Sequence, residues 1–394
     1  MSLLAGVGMS HHHNPLIAGR EAVERALTRA GIKQPDFVFL FATVGYDQPT
    51  IVKTVREASG GAPLCGCSAE GIIAEQQTDE SSFAVAVMAI SSDEMHFHHG
   101  LATGLKTDPT GAGCAIGAAI QPALGSDTRA LFLFPDGLTV NFDRLLAGLE
   151  GQLRPDRLLP ILGGTSGDNW QVRQTYQYCD DEVVTDGVAW ALMSGQVQVA
   201  WAVNHGCLPI GLEHKVTRAQ GNVIYEIDHK PVLELLKDYL TDDEIADWGK
   251  AVVNVTFGIK APSEMSDYDQ YLIRFMPTKD DQVGAVTIPT EVAAGTSIWM
   301  TRRDYGKVAA GVDRLGAQLR TQLGDRPAKL VLQFECAGRG KIFLRDQLRL
   351  QLLRRLQQQL PDVPWLGFYS LGEIGPVGSR NCFHNYTAVV AAVF

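Results

Sequence analysis

The chain has 394 residues, 45% hydrophobic and 20% charged, with a net charge of −10 and seven cysteines. That length implies two or more domains, with core enough to need neither metal nor disulfide. The acidic balance opposes nucleic-acid binding, an odd handful of thiols opposes a disulfide framework, and no apolar run reaches the ~18–20 residues of a membrane span.

Met1 to Gly8 is apolar, but it is short and lacks the basic flank of a signal peptide, so a cytoplasmic protein is expected. His11-His12-His13 runs into Asn14-Pro15 and a helix. A repeated unit then begins. Its first copy has the apolar run Phe37–Phe41, a helix from about Thr50 to Ala58, the turn Pro63-Leu64-Cys65-Gly66-Cys67-Ser68-Ala69-Glu70-Gly71, and a strand over Phe83–Ile90. The second copy has Ala130–Phe134, a helix over Asn141–Leu153, Gly163-Gly164-Thr165-Ser166-Gly167-Asp168, and a strand over Val188–Met193.

The third copy has Leu330–Phe334, a helix over Phe343–Leu360, the turn Gly367-Phe368-Tyr369-Ser370-Leu371-Gly372-Glu373, and a strand over Tyr386–Phe394. Arg345, Arg349, Arg354 and Arg355 on that helix read as a solvated face. Each unit reads β–α–β–loop–β, with the first two strands parallel and the last returning antiparallel. The fold class expected is therefore α/β: repeated β-α-β-β units forming mixed sheets flanked by helices.

Between the second and third copies the pattern changes. Strands are predicted over Val197–Val203, Gly221–Ile227, Val252–Phe257, Tyr271–Phe275, Gln282–Ile288 and Ser297–Thr301. Asp228 is placed to cap a helix over Pro231–Leu240, and another helix covers Lys307–Gln322. A boundary near Met193–Gly195 gives domains 1–194 and 195–394.

The chemistry concentrates in the three turns. Each combines glycines, small hydroxyls and one acid, Glu70, Asp168 or Glu373, at the carboxyl ends of strands, where open α/β sheets gather ligands. That combination suits a small polar molecule such as a zwitterion. Phosphate-loop and dinucleotide motifs are absent. A hydrolase would use Cys67 or Ser68, but no Gly-x-Ser-x-Gly elbow marks either, and a non-enzyme is expected. His96, His98 and His99 cluster on a strand and read as surface. His205 and His229 each follow a strand and have the sequence setting of an axial haem ligand.

Collectively these motifs resemble the FIST family of bacterial sensory proteins. Gly66-Cys67-Ser68 and Gly163-Gly164-Thr165-Ser166-Gly167-Asp168 resemble its amino-terminal part. Gly206-Cys207-Leu208-Pro209, Gly221–Asp228, Phe334–Arg339, Gly367–Gly375 and His384-Asn385-Tyr386-Thr387 resemble its carboxyl-terminal part. The resemblance implies a module that senses small ligands, amino acids among them. With no fused output, it implies action through a separate partner such as a histidine kinase; the sequence leaves the oligomeric state, a homo-oligomer included, open. Some stand-alone relatives bind haem and sense nitric oxide. His205 ahead of Gly206, and His229 where glycine is common, are atypical positions that fit that variant. The ligand-binding residues expected are Ser68, Glu70, Asp168, Asn169, Arg339, Glu373, His384 and Asn385. Glu70 and Glu373 would take an amine and Arg339 a carboxylate.

Overall fold

A computed structural model describes residues 3–153, 158–261 and 270–394. Its plan is one eight-element unit used three times. The first unit is β1 (Leu3–Ser10), α1 (Pro15–Ala30), β2 (Phe37–Ala42), α2 (Gln48–Ala58), β3 (Leu64–Ser68), the hairpin β4 (Gly71–Ala74) and β5 (Gln77–Asp79), and β6 (Val85–Ser92). The second is β7 (Met95–Thr103), α3 (Pro109–Ile120), β8 (Thr128–Pro135), α4 (Phe142–Glu150), β9 (Ile161–Gly164), the hairpin β10 (Gln177–Cys179) and β11 (Glu182–Val184), and β12 (Gly187–Gly195).

The third unit opens with β13 (Val199–His205), after which an insert intervenes. The insert holds β14 (Cys207–Gln220), β15 (Val223–Ile227), β16 (Lys230–Pro231), α5 (Val232–Leu236), α6 (Asp242–Ala246), α7 (Trp248–Asn254), β17 (Thr256–Lys260), β18 (Tyr271–Arg274), β19 (Thr278–Asp280), β20 (Ala285–Thr287) and β21 (Ser297–Arg303). Its strands form their own antiparallel sheet over a separate apolar core, where the sequence pattern suggests strands without fixing their direction. The unit then resumes with α8 (Tyr305–Leu323), β22 (Leu330–Cys336), α9 (Asp346–Gln357), β23 (Trp365–Ser370), the hairpin β24 (Glu373–Val377) and β25 (Arg380–His384), and β26 (Thr387–Val393).

The hairpins are exchanged in a ring. Sheet one runs β1-β6-β2-β3-β10-β11, sheet two β25-β24-β9-β8-β12-β7, and sheet three β13-β26-β22-β23-β4-β5. Each unit therefore completes its sheet with a hairpin from another unit, and two of the three hairpins cross the line between 1–194 and 195–394. In every unit the central pair is parallel (β2 with β3, β8 with β9, β22 with β23) and the last strand returns antiparallel.

The repeated apolar runs are strands buried on both faces. Phe37, Phe39 and Phe41 point into a shared centre while Val38 and Leu40 pack under α1 and α2. The centre is filled with aromatic rings. Phe41 and Phe134 lie 5.3 Å apart, Phe41 and Phe368 4.4 Å, and Phe334 and Phe368 5.7 Å. Such edge and tilted contacts add to the area the rings bury. No helix among the described residues is long and apolar enough to cross a membrane.

Several local expectations are corrected. Val252 and Val253 continue α7, because Trp248 to Val255 alternates its apolar residues at helical spacing, and the strand starts at Thr256. Asp228 caps no helix. It sits at positive φ in the β15–β16 turn and its carboxylate accepts from Lys215 N at 2.8 Å and pairs with His214 Nδ1 at 2.7 Å. The helix expected over Phe343–Leu360 is shorter, Asp346–Gln357, and Arg349 leaves its solvated face to pair with buried Glu80.

Candidate functional site

The three turns meet at one place, where the carboxyl ends of β3, β9 and β23 converge. Glu70 N donates to Tyr369 O at 2.9 Å, Gly167 N to Ser68 O at 3.0 Å, and Thr165 N to Gly372 O at 2.8 Å. Every pair of turns is thus joined by main chain.

The acids and hydroxyls of the turns serve this junction. Ser68 Oγ donates to Gly167 O at 2.7 Å and accepts from Tyr176 N at 2.9 Å. The Glu70 carboxylate accepts from Asp168 N at 2.9 Å and Trp170 N at 2.6 Å. Asp168 in turn accepts from the amides of Val172, Arg173 and Gln174, folding that segment into a cap. Asn169, half-buried, bridges Val44 N and Glu70 O. These are local turn-forming bonds of the Asx kind, used at long range.

In the third unit Glu373 is fully buried and accepts from Ser370 Oγ at 2.7 Å and Thr387 N at 3.2 Å. Burial pushes its carboxyl well above the usual range. Arg339 Nε donates to Glu335 Oε1 at 2.5 Å. Asn385 accepts from Phe275 N and donates to Leu371 O, tying the insert to the third turn. His384 Nε2 sits 2.9 Å from Gly375 O, and burial lowers its pKa to about 3. The space left among Trp170, Gly338, Ser370 and Asn385 is about 20 Å³, room for one water.

Glu70 makes this junction sensitive to pH. Burial raises its pKa from 4.5 to about 7, against the lowering effect of the two amides it accepts from. A carboxyl whose pKa rises on folding contributes stability that is complete below its unfolded value and is lost as pH climbs through its folded one. Between pH 4.5 and 7 the protein should therefore lose about 3 kcal/mol relative to a Glu70→Gln variant. Urea midpoints of both proteins at pH 5 and pH 8 measure the difference. A parent no more pH-sensitive than the variant would refute it.

Neither hydrolase candidate is paired with a base. Cys67 is buried and burial holds its thiol well above the ordinary range, while the Ser68 hydroxyl is engaged by main chain on both sides. The haem candidates also lie apart. His205 is fully buried with Nδ1 accepting from Cys207 N, and His229 is exposed at φ 64 on the β15–β16 turn. An axial ligand needs its ring edge in a slot that takes a flat macrocycle. Neither histidine is among the residues lining the grooves described for this chain, and among the described residues the two do not fit the group.

The large opening lies elsewhere. A groove of about 820 Å³ runs between β1, α1, the β4–β5 turn and α9. Arg25, Arg29 and Arg354 line it, with Glu75, Gln357 and Pro364. Glu75 is half-buried, and burial raises its pKa despite Arg29 nearby. Sequence reasoning missed this groove because its walls come from the first and third units, and each arginine alone reads as solvated helix surface.

The FIST N domain matches residues 36–230 and the FIST C domain residues 233–376. The chain belongs to the FIST family. FIST domains are generally regarded as sensory, ligand-binding domains of signalling proteins. An uncharacterized Mycobacterium tuberculosis protein is 26% identical over 397 residues, covering 98% of both chains. An uncharacterized Methanocaldococcus jannaschii protein is 25% identical over 224 residues, 55% of this chain and 41% of that one. Among solved structures, a chorismatase aligns over 100% of this FIST chain and 99% of its own at 8% identity and TM-score 0.37. A cyanuric acid hydrolase from A. caulinodans aligns over the same shares at 10% and 0.36. Likeness that weak carries no reading of activity.

Proposed function

We propose that this FIST protein senses a small, amino-acid-like ligand in the groove between α1 and α9, and signals through a separate partner such as a histidine kinase. The observation that carries the reading is the set of charges over that groove. Arg25, Arg29 and Arg354 stand around a half-buried Glu75, in a space large enough for a small polar molecule. Guanidinium groups suit a carboxylate bidentately, and a carboxylate suits an amine. Arg25 and Arg29 each spend one guanidinium nitrogen on the main chain of β1, whereas the turn junction has its carboxylates and amides committed to each other, and a ligand there would have to displace the cap formed by residues 168–174.

The groove also offers a route for a signal. It is walled by a helix of the first unit and a helix of the third, and Gln357 on α9 already donates to Glu75 O at 2.6 Å. A ligand that tightens this contact would shift how two units sit in the ring.

Calorimetry against a panel of amino acids tests the reading. An amino acid that binds the parent should bind Arg29→Ala at least tenfold more weakly and Glu373→Ala unchanged. Loss with Glu373→Ala while Arg29→Ala binds normally would move the site to the turn junction. No heat from any amino acid would overturn the ligand class.

A further inference from the structure

The threefold repetition supplies its own control for every buried position. Where a hairpin docks on a neighbouring sheet, its second strand partner and the first strand of its own unit meet in a seam. In one seam Ala74 pairs with Leu366, and Val7, opposite Met88, lies alongside. In another Gly375 follows the Ile374–Gly163 pair beside Leu162 with Val203 and Val389 over it, and Trp201, opposite Ala391, stands at the position of Val7. Apart from Glu75 in the turn of the first and the Trp201 Nε1–H donated to Pro376 O in the other, both seams are apolar and pack into the central core.

The third seam keeps the acid of the turn, Asp180 standing where the first seam has Glu75, each at φ 52 with its N–H on the docking strand, but it differs at the other corresponding positions. Cys179 pairs directly with Cys65, and His99, opposite Ala191, takes the place of Val7 and Trp201. Asp180, at φ 52 in the β10–β11 turn, closes the group. His99 Nε2 is 3.1 Å from Asp180 Oδ1, and the ligand atoms of His99, Cys179 and Asp180 all lie within 4.8 Å of one another. Packing alone does not call for this change, since the same backbone is filled by Leu, Ala and Val elsewhere in the same chain.

We propose that His99, Cys179 and Asp180 bind a divalent transition-metal cation of the zinc type, with Cys65 as fourth ligand. A nitrogen, a thiolate, a carboxylate and a second thiolate form a donor set for tetrahedral zinc, whose ligands sit about 2.0–2.3 Å from the ion. His99, Cys179 and Asp180, all half-buried, therefore need only a small inward shift, while Cys65, fully buried on the paired strand and outside that group, would have to turn toward them. Arg56 Nη1 pairs with Asp180 Oδ1 at 2.6 Å, so the site already holds one positive charge. Asp181 also lies 4.0 Å from Arg56, so with a divalent cation the sum of three meets two carboxylates and a first thiolate, and Cys65 as fourth ligand rests on its pairing with Cys179 rather than on charge. Burial holds both thiols protonated in the free protein, and binding would release their protons to solvent. The ion would join β7 and the β10–β11 hairpin of the second unit to β3 of the first, fixing one exchanged hairpin in place.

The test uses the full chain, reduced and stripped with a chelator. Zn²⁺ titration against a competing chromophoric chelator should show one tight site per chain. Co²⁺ in its place should give the near-ultraviolet charge-transfer band of a thiolate ligand. The variant Cys65→Leu/Cys179→Ala/His99→Val rebuilds the apolar seam present elsewhere in the ring and so keeps the fold. It should bind at least 100-fold more weakly and lose the band. Replacing the exposed His11, His12 and His13 with alanine should leave both readouts unchanged. Zinc held equally by the seam variant, zinc lost with the His11–His13 variant, or a cobalt spectrum without the thiolate band would each overturn the proposal.

Discussion

Replacing Gly66, Gly163 or Gly367 with alanine is expected to destabilise the protein by about 3 kcal/mol or more, read as a lower urea midpoint. These three glycines occupy one position of the repeat, each paired across the central parallel strands with Leu40, Leu133 or Gln333. A methyl group at each would fall 1.8, 2.0 or 2.1 Å from the carbonyl oxygen of that partner. The obstacle is main chain in the middle of a sheet, so no rotamer change relieves it. Gly31 is the contrast. It caps α1 at φ 67 with open space around it, and alanine there should cost only about 1 kcal/mol of left-handed strain. The result also separates two explanations of the repeated glycine. Were it kept for a ligand to approach the backbone, the alanine variants would fold with parental stability and lose only binding.

That comparison shows where the sequence was readable. The three apolar runs and their glycine turns were legible because strands buried on both faces are continuous apolar segments, and parallel pairing follows from the helix between them. The hairpins between the turns and the last strands were not legible. They are strands of three to five residues whose partners lie in another unit, so nothing in the local pattern separates them from loop. The first strand and helix of each unit were only partly visible, and the insert hid the pairing of β13 with α8.

The site divides the same way. Glu70, Asp168 and Glu373 stood out as acids in a repeated turn, and the structure brings those turns together. It also shows their oxygens bound by backbone amides and a serine hydroxyl, a fact no spacing reveals. The Arg25–Arg29–Arg354 groove and the His99–Cys179–Asp180 group were illegible for one shared reason. The first is assembled across units and the second from opposite ends of one unit, in both cases from residues that separately look like surface or core. His99 was seen, but beside His96 and His98, which stay exposed, rather than beside a cysteine 80 positions away.

Arg349 gives the second large effect. On α9 of the third unit it is buried, pairs with Glu80 just past the β4–β5 hairpin of the first, and stacks over the Tyr369 ring at 5.6 Å. Glu80 also accepts from Lys341 N at 2.9 Å. The pair thus clasps the first unit to the third, a different junction of the ring from the first–second one that holds the His99 seam. Arg349→Met keeps the volume but leaves the Glu80 carboxylate buried without its cation, and should cost about 3–5 kcal/mol. The cost belongs to the stranded charge rather than to the lost attraction. Glu80→Gln combined with Arg349→Met should therefore recover at least about 2 kcal/mol of it in a double-mutant cycle. A single variant within 1 kcal/mol of the parent would mean that the ring closes through its hairpins and aromatic centre alone. Full additivity would mean that the two side chains act on stability separately, through their own helix and hairpin.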